Sequence, residues 1–357
     1  MVYTSDQTSG KRFHRVYCIG VIFALLGLGG VAGILYYFLG HKTAPEDQEV
    51  KVSTPVGEDY FSVRFVSSAG SSGAYCIKAL VGTNPPSENE ILLDTGSADT
   101  WFEDDSGFMQ KSDSYINYPD FSYIIRYMGG SVEGNLGNDL IDVNTFDWTQ
   151  NIGVVTDVNK DIDGKPNMDM GALDGIMGVC RGGCDSRKLC VMNNWALKES
   201  AIGFYYDPMT WAGLFMAGFI NETMYCEPGE KLTWIENTGN YFWTGAVGMS
   251  VKGKTIGNNL SAIFDTGTTY LMLKQSLYTD MMNKLGTDCT GAEITLNLGG
   301  KDFTIPSDVI VRRSSPCVLR ASVLPEKSLH ADILVGAVFL VNFYSVFHLR
   351  DEKWVFV

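Results

Sequence analysis

Histidine and basic residues are scarce in this sequence. Its 357 residues include four histidines, and 27 lysines and arginines stand against 41 acidic residues, for a formal net charge of −14. Such a chain offers no basic patch to displace phosphate counterions, which argues against a nucleic-acid partner. Two histidines, His14 and His41, flank an apolar N-terminal run. The sequence therefore lacks the constellations that histidine-dependent nucleophilic or metal chemistry requires, and we expect no metal and no cofactor.

Long helical patterns are also lacking beyond the N-terminus. From Tyr60 onward, short runs rich in Val, Ile, Tyr and Phe are separated by Gly, Asn, Pro and Asp, which predicts a mostly β fold. Helical patterns are confined to residues 187–200 and 274–286. With 45% hydrophobic residues, the chain is long enough to bury a large core in about two domains.

The N-terminus carries an uncharged run of membrane-spanning length. Residues 16–39 contain no charged side chain, and a helix of about 20 residues spans a bilayer. Basic residues precede the run and acidic residues follow it, so residues 1–15 are predicted to be cytoplasmic and the rest lumenal or extracellular. The prediction is a type II signal anchor. A long signal peptide cleaved near Ala32 and Gly33 is the alternative.

One pattern occurs twice along the chain. Asp94 follows "ILL" and opens "DTGSADTW", and Asp265 follows "AIF" and opens "DTGTTYL". Each copy is followed later by an apolar strand that ends in glycine, "LDGIMG" at 173–178 and "ADILVG" at 331–336. A single Asp-Thr-Gly is usually only a turn. Two copies in matching apolar contexts need one explanation, because an ionised Asp beside a buried strand is costly unless neighbouring donors satisfy it.

From about Tyr60 to Val357 the sequence resembles the pepsin-like aspartic peptidases. The motifs occur in the family's order: "VGTNPP", "DTGSADTW", "YMGGSVEG" at 127–134, "LDGIMG", "AIFDTGTTYL" and "ILVGAVFLVNFYSVF". The resemblance implies a mostly β, bilobal fold with an N-terminal lobe at 60–205 and a C-terminal lobe at 206–357. It also implies that Asp94 and Asp265 meet in the cleft between the lobes and activate a water molecule for peptide hydrolysis.

The same resemblance implies roles for the neighbouring residues. The residues expected to support the catalytic loops are Thr95, Gly96, Ser97, Thr266, Gly267 and Thr268. The residues expected to form a flap over the aspartates are Tyr127, Gly129, Gly130 and Ser131, with Trp101 hydrogen-bonded to Tyr127. The side chains expected to border the cleft floor are Ile124, Tyr127, Phe264 and Leu271. The expected partners are polypeptide substrates with bulky apolar residues at the scissile bond, and the expected state is a monomer.

Cysteine usage fits an oxidising compartment. The resemblance implies a disulfide between Cys289 and Cys317. Pairing stays open for the remaining cysteines outside the apolar run, which are Cys76, Cys180, Cys184, Cys190 and Cys226. The Cys-x3-Cys spacing could also indicate zinc, but no histidine lies nearby, which favours a disulfide. Asn221 and Asn259 begin glycosylation triplets.

Several positions depart from the family's pattern. Met128 stands where the flap commonly has glycine, Ala337 replaces the usual Asp, and the cysteine pair that usually follows the first catalytic loop is missing. Residues 40–59 are a predicted tether or short pro-segment, too short and too acidic to cover the cleft with a lysine. Alternatively, part of this segment forms the first strand of an interlobe sheet. A catalytically silent, peptide-binding membrane glycoprotein is the alternative function. The two intact catalytic loops and the flap tyrosine favour an enzyme.

Overall fold

The structure is a computed structural model that describes most of the chain from residue 56 onward. The described ranges are 56–66, 75–104, 107–128, 130–157, 173–182, 189–206, 213–221, 232–325 and 329–357. The predicted tail (1–15) and signal anchor (16–39) and most of the predicted tether lie outside these ranges. Within them, no helix is both long and apolar enough to cross a membrane.

Strands dominate the described residues. In the first half they are β1 (Val56–Gly57), β2 (Tyr60–Arg64), β3 (Cys76–Val81), β4 (Ser87–Asp94), β5 (Thr100–Glu103), β6 (Ile116–Tyr127), β7 (Gly130–Val143), β8 (Phe146–Asp157), β9 (Gly175–Gly178), β10 (Ala201–Tyr206) and β11 (Gly213–Ala217). In the second half they are β12 (Ile235–Glu236), β13 (Thr244–Val251), β14 (Lys254–Phe264), β15 (Leu271–Leu273), β16 (Ile294–Leu298), β17 (Lys301–Ile305), β18 (Val311–Arg313), β19 (Val318–Leu319), β20 (Ala321–Val323), β21 (Ile333–Val335), β22 (Ser345–His348) and β23 (Lys353–Phe356). The helices are α1 (Gln275–Leu285), α2 (Ser307–Ile310) and α3 (Ala337–Leu340), and 3₁₀ turns occupy Met109–Lys111 and Val191–Asn193.

Three sheets of the described residues divide the molecule into two lobes and a connecting layer. The N-lobe sheet has the order β3-β4-β9-β5-β8-β7-β6, and the C-lobe sheet has the order β17-β16-β13-β14-β21-β15-β20. The interlobe sheet has the order β1-β2-β11-β10-β22-β23-β12, so it draws strands from both ends of the chain. This is the mostly β, bilobal architecture that the resemblance implied.

The interlobe sheet begins inside the predicted tether. β1 pairs with β2, and β2 pairs in turn with β11. Phe61 of β2 is fully buried and stacks on Phe146 of the N-lobe at 4.6 Å between ring centroids. β10 spans the predicted lobe boundary at residues 205 and 206. The chain segment from Val56 is therefore part of the packed core and not only a connection.

Of the two helical patterns, one forms a regular helix. α1 covers Gln275–Leu285 and buries Leu277, Met281 and Leu285 on one face, as the spacing predicts. The prediction of a helix at residues 187–200 is wrong for the described part, which contains only a 3₁₀ turn at Val191–Asn193. The Asn194 side chain donates to the carbonyl of Cys190, and such a bond competes with helical backbone bonding.

The described cysteines and candidate glycan sites lie in ordered structure. Cys289 and Cys317 form the disulfide that the resemblance implied, with their Cα atoms 5.1 Å apart. Cys190 is also disulfide-bonded, while Cys184 and Cys226 lie outside the described residues. Asn259 is exposed on β14, and Asn221 is half-buried.

Candidate active site

Each candidate aspartate lies at the end of a strand or directly after it, and a parallel strand pairs with that strand on one side. β4 ends at Asp94, which is paired with Gly178 of β9. In the C-lobe, β14 ends at Phe264, which is paired with Val335 of β21, directly before Asp265. A backbone hydrogen bond also joins each aspartate to the neighbouring strand or to the residue after it. Val179 N donates to the Asp94 carbonyl at 2.8 Å, and Asp265 N donates to the Val335 carbonyl at 3.0 Å. The twofold sequence pattern is therefore a twofold structural pattern.

The threonines of the two Asp-Thr-Gly loops lock the loops to each other. Thr95 N donates to Thr266 Oγ1 at 2.9 Å, and Thr266 N donates to Thr95 Oγ1 at the same distance. Each hydroxyl then donates onward across the interface, Thr95 to the carbonyl of Phe264 and Thr266 to that of Leu93. Both threonines are buried. Four buried hydrogen bonds thus set the spacing of the two aspartates.

Hydrogen-bond donors within each loop satisfy the carboxylate of that loop. Asp94 accepts from Gly96 N at 2.8 Å and from Ser97 Oγ at 2.5 Å. Asp265 accepts from Gly267 N at 2.8 Å and from Thr268 Oγ1 at 2.7 Å. These bonds hold the two carboxylates in matching orientations and offset part of the cost of burying them.

Each loop glycine lies against the aspartate of the other lobe. A Cβ on Gly96 would lie 2.5 Å from Asp265 Oδ1, and a Cβ on Gly267 would lie 2.3 Å from Asp94 Oδ1. Any larger residue would therefore occupy space that the opposite carboxylate needs. The glycines are required for close approach of the two acids.

The two carboxylates are buried, and Asp265 lies close enough to Asp94 to affect the ionisation of Asp94. Burial raises the pKa of Asp94 well above its ordinary 3.8, and the charge of Asp265 and a hydrogen bond between the two side chains raise it further. Bonds from Ser97 and Gly96 oppose the pKa increase without cancelling it. A single proton held between the two acids is the arrangement that this environment favours.

The predicted flap is a hairpin of β6 and β7 next to the aspartates. Trp101 Nε1 donates to the Tyr127 hydroxyl at 2.8 Å, the contact that the resemblance implied. Burial, followed by the charge of Asp94, raises the pKa of Tyr127 well above 10, so its hydroxyl stays protonated. Gly130 pairs with Tyr127, and Ser131 is buried. Gly129 lies outside the described residues.

Two side chains predicted to border the cleft floor lie instead in the core. Phe264 is fully buried against Trp354 and Phe356, and Leu271 is fully buried in the C-lobe sheet. They cannot contact a substrate, because β14 and β15 point these side chains into the core. Ile124 is 39% exposed, and Tyr127 is half-buried.

One neighbour of the site was not predicted from the sequence. Cys180, two residues past β9, donates from its backbone N to the Ser97 carbonyl at 2.9 Å. Burial raises the pKa of its thiol to about 12, and the charges of Asp94 and Asp265 contribute to that increase. The thiol is therefore protonated and inert as a nucleophile. Its position two residues after "LDGIMG" was the available signal, since the strand in this motif pairs with the strand that ends at Asp94.

Two lobes that each present one Asp-Thr-Gly loop to a shared cleft define a bilobal aspartic-protease fold and site. The model of the eukaryotic aspartyl protease family matches residues 74–356. The chain belongs to that family.

Curated relatives are similar along most of their length. Mouse (Mus musculus) gastricsin is 24% identical over 339 aligned positions, gaps included, and the alignment covers 82% of this chain and 83% of that protein. Rat (Rattus norvegicus) gastricsin is 24% identical over 364 aligned positions, gaps included, and the alignment covers 90% of this chain and 89% of that protein. Chymosin of Callithrix jacchus is 23% identical over 306 residues, covering 76% and 77%.

Proposed function

We propose that this chain is an aspartic endopeptidase that hydrolyses extended polypeptides with a water molecule activated by Asp94 and Asp265. The observation that carries the proposal is the matched hydrogen bonding of two buried carboxylates that face each other across the lobe interface. A catalytically silent binding protein has no need for two acids held in this arrangement.

The proposed mechanism divides two tasks between the acids. Asp94, whose pKa is raised, holds the shared proton and donates it toward the oxygen of the scissile carbonyl. Asp265 accepts a proton from the attacking water as general base. After attack, Asp265 passes the proton taken from water to the leaving amine as the C–N bond breaks, and the proton on the former carbonyl oxygen returns to Asp94, so that the pair again holds a single proton. The donors on each outer carboxylate oxygen keep both groups oriented through these steps.

Peptide cleavage should follow a bell-shaped pH profile with an acidic optimum. The rate falls toward higher pH as Asp94 loses the shared proton, and because its pKa is raised, this limb lies above pH 3.8. The rate falls toward lower pH as the pair takes up a second proton. Initial rates on a peptide substrate across pH check the profile. A rate that rises steadily into the alkaline range would contradict the shared proton.

Cleavage should favour bulky apolar residues on both sides of the scissile bond. The flap hairpin exposes apolar side chains, because Ile124 and Met128 are 39% and 41% exposed. Replacing a substrate Leu or Phe by Ala should lower kcat/KM by about tenfold or more, because one apolar contact contributes about 1–3 kcal/mol. Profiling with a peptide library measures this. Dominant charged residues at both positions would refute it.

The peptidase portion should be active without removal of a pro-segment. Residues 40–59 contain Lys42 and Lys51 against five acidic residues, which suits them poorly to place a cation on two carboxylates. In addition, β1 and β2 carry residues 56–64 into the interlobe sheet. Chains of residues 43–357 and 56–357 should cleave peptide equally from the first assay. A longer chain that stays inactive until it trims itself at low pH would show that the segment is inhibitory.

We further propose that the peptidase portion lies in a lumenal or extracellular, oxidising compartment as a monomer tethered by residues 16–39. The disulfide of Cys289 with Cys317 supports such a compartment. Asn259 is exposed as an N-glycan acceptor must be. Protease protection of the C-terminal part in sealed membranes, and its loss on adding detergent, tests this orientation.

A further inference from the structure

Residues 179–182, here called the strap, directly follow β9 and lie between the two lobes. On the N-lobe side the strap is bonded to the first catalytic loop. Val179 N donates to the Asp94 carbonyl at 2.8 Å, and Cys180 N donates to the Ser97 carbonyl at 2.9 Å. The strap therefore supports both the aspartate and the serine that orients its carboxylate.

On the other side the strap is hydrogen-bonded to the segment between β12 and β13, residues 237–243, here called the C-lobe loop. Gly182 N donates to the Tyr241 carbonyl at 3.0 Å, and the Cys180 thiol donates to the same oxygen at 2.7 Å. Arg181 Nη1 donates to the Gly239 carbonyl at 2.6 Å. Three consecutive strap residues thus hold one short stretch of the C-lobe.

Arg181 also reaches the interlobe sheet. Its Nη2 forms an ion pair with Oε1 of Glu352, in the turn between β22 and β23. The Arg181 side chain is 15% exposed and that of Glu352 is 53% exposed, so the pair is screened mainly on the glutamate side. The Glu352 carbonyl accepts from Asn237 N at 2.8 Å, which ties the same turn to the C-lobe loop.

The C-lobe loop leads directly to the second aspartate. Asn237 Nδ2 donates to the carbonyls of Gly239 and Phe242 at 2.8 and 3.2 Å, which fixes the loop internally. The next carbonyl, that of Trp243, accepts from Phe264 N at 2.9 Å, immediately before Asp265. A continuous set of bonds therefore runs behind the site from one catalytic loop to the other.

The contact between strap and loop requires a residue without a side chain. A Cβ on Gly182 would lie 2.7 Å from the Asn240 carbonyl oxygen and 2.8 Å from the Cα of Tyr241. Such close backbone packing leaves little freedom for either segment to move alone. A displacement of the strap would therefore also displace the C-lobe loop.

We propose that Arg181 is a positioning residue for peptide hydrolysis. It holds the strap against the C-lobe loop and Glu352, and so sets the relative placement of the Asp94 and Asp265 loops. The inference rests on the proposed function of this site. Arg181 contacts no reacting atom, and its effect on catalysis is transmitted through the strap.

The test compares the wild type with Arg181→Met, which keeps an unbranched apolar stem but removes the guanidinium group with its charge and all donors. Competent sites are counted by titration with a statine-type inhibitor, so that kcat refers to folded protein only. We expect kcat to fall by about tenfold with KM changed by less than about twofold, because small displacements of paired catalytic groups have large effects on rate. The affinity of the statine-type inhibitor should fall in parallel with kcat/KM.

Other variants separate the two contacts of Arg181. Arg181→Lys retains the charge and should recover part of the lost kcat. Glu352→Gln keeps an acceptor and leaves the bond to Gly239 in place, so its loss should be smaller than that of Arg181→Met. In a double-mutant cycle, Arg181→Met with Glu352→Gln should show non-additive losses in kcat, since both residues act through one contact. If Arg181→Met does not fold, the kcat values of Arg181→Lys and Glu352→Gln test the proposal instead.

Lys78→Met is the matched control. It removes an ion pair with Glu88 that lies within the N-lobe sheet, with both partners about half exposed, and should leave kcat unchanged. Arg181→Met with wild-type kcat per competent site, or with a lower melting temperature as its only effect, would overturn the inference while the proposed function stands. A wild-type chain that cleaves no peptide would overturn both.

Discussion

Replacing Asp94 or Asp265 by asparagine is expected to lower kcat for peptide cleavage by about 10³- to 10⁴-fold, because each variant removes one of the two groups that transfer protons. Asparagine has nearly the shape of aspartate; its side-chain oxygen can accept the bond that Gly96 N donates to Asp94 Oδ1, and its amide nitrogen can donate to the Ser97 hydroxyl oxygen in place of the bond that Asp94 Oδ2 accepts. The loss should therefore be chemical and not structural. Initial rates per folded chain at the optimum pH measure it.

Asp94→Asn should lower kcat but should not lower the free energy of unfolding near neutral pH. A raised pKa means that the folded chain binds a proton at Asp94 more tightly than the unfolded chain does. The free energy of unfolding therefore falls as pH rises from 3.8 toward the folded-state pKa. Asparagine does not ionise, so the variant should be at least as stable as the wild type near neutral pH. Thermal unfolding at neutral pH measures this difference.

Asp280→Asn makes the same chemical change on the exposed face of α1 and is the control. It should retain full activity. If Asp94→Asn or Asp265→Asn retained more than a small fraction of wild-type kcat, with contaminating peptidase excluded, the assignment of the two acids would be wrong.

Gly96→Ala is expected to lower kcat by about 100-fold or more. Its Cβ would lie 2.5 Å from Asp265 Oδ1, so one of the two catalytic loops must shift. A shift of about 1 Å between reacting groups is enough for a loss of this size. The forced displacement should also destabilise the fold by about 1–3 kcal/mol. Kinetics and denaturant unfolding of the same preparation measure both effects.

Gly248→Ala provides the comparison in a strand of the C-lobe. A Cβ there would meet Asn297 Cβ at 3.4 Å, an ordinary contact, so kcat should be unchanged. Wild-type kcat in Gly96→Ala would contradict this account, because it would mean that Asp265 does not lie close enough to Gly96 for an added Cβ to displace it.

The catalytic loops could be predicted because their function leaves a local sequence pattern. An apolar strand, then Asp-Thr-Gly, then a hydroxyl residue at the third position past Asp94 or Asp265 occurs twice, and the same residues hydrogen-bond each carboxylate in the structure. The helix α1 was predictable for a similar reason, since its apolar positions recur at helical spacing.

Other features depend on contacts between segments distant in sequence and could not be predicted. Phe264 and Leu271 are apolar like many cleft residues, and only the pairing of β14 and β15 with β21 shows that they face the core. Arg181 has no distinguishing neighbours in sequence, and its partner Glu352 is 171 positions away. Residues 187–200 carry a helical pattern, but side-chain bonding at Asn194 favours a turn.

The most direct test of the account is titration of peptide cleavage with a statine-type inhibitor, whose hydroxyl replaces the water between two catalytic carboxylates. An inhibitor that mimics the transition state should bind far more tightly than substrate. At a protein concentration well above the inhibition constant, we expect activity to fall linearly and to reach zero at one inhibitor per chain. Cleavage that continues at full rate with excess inhibitor would contradict a mechanism based on Asp94 and Asp265.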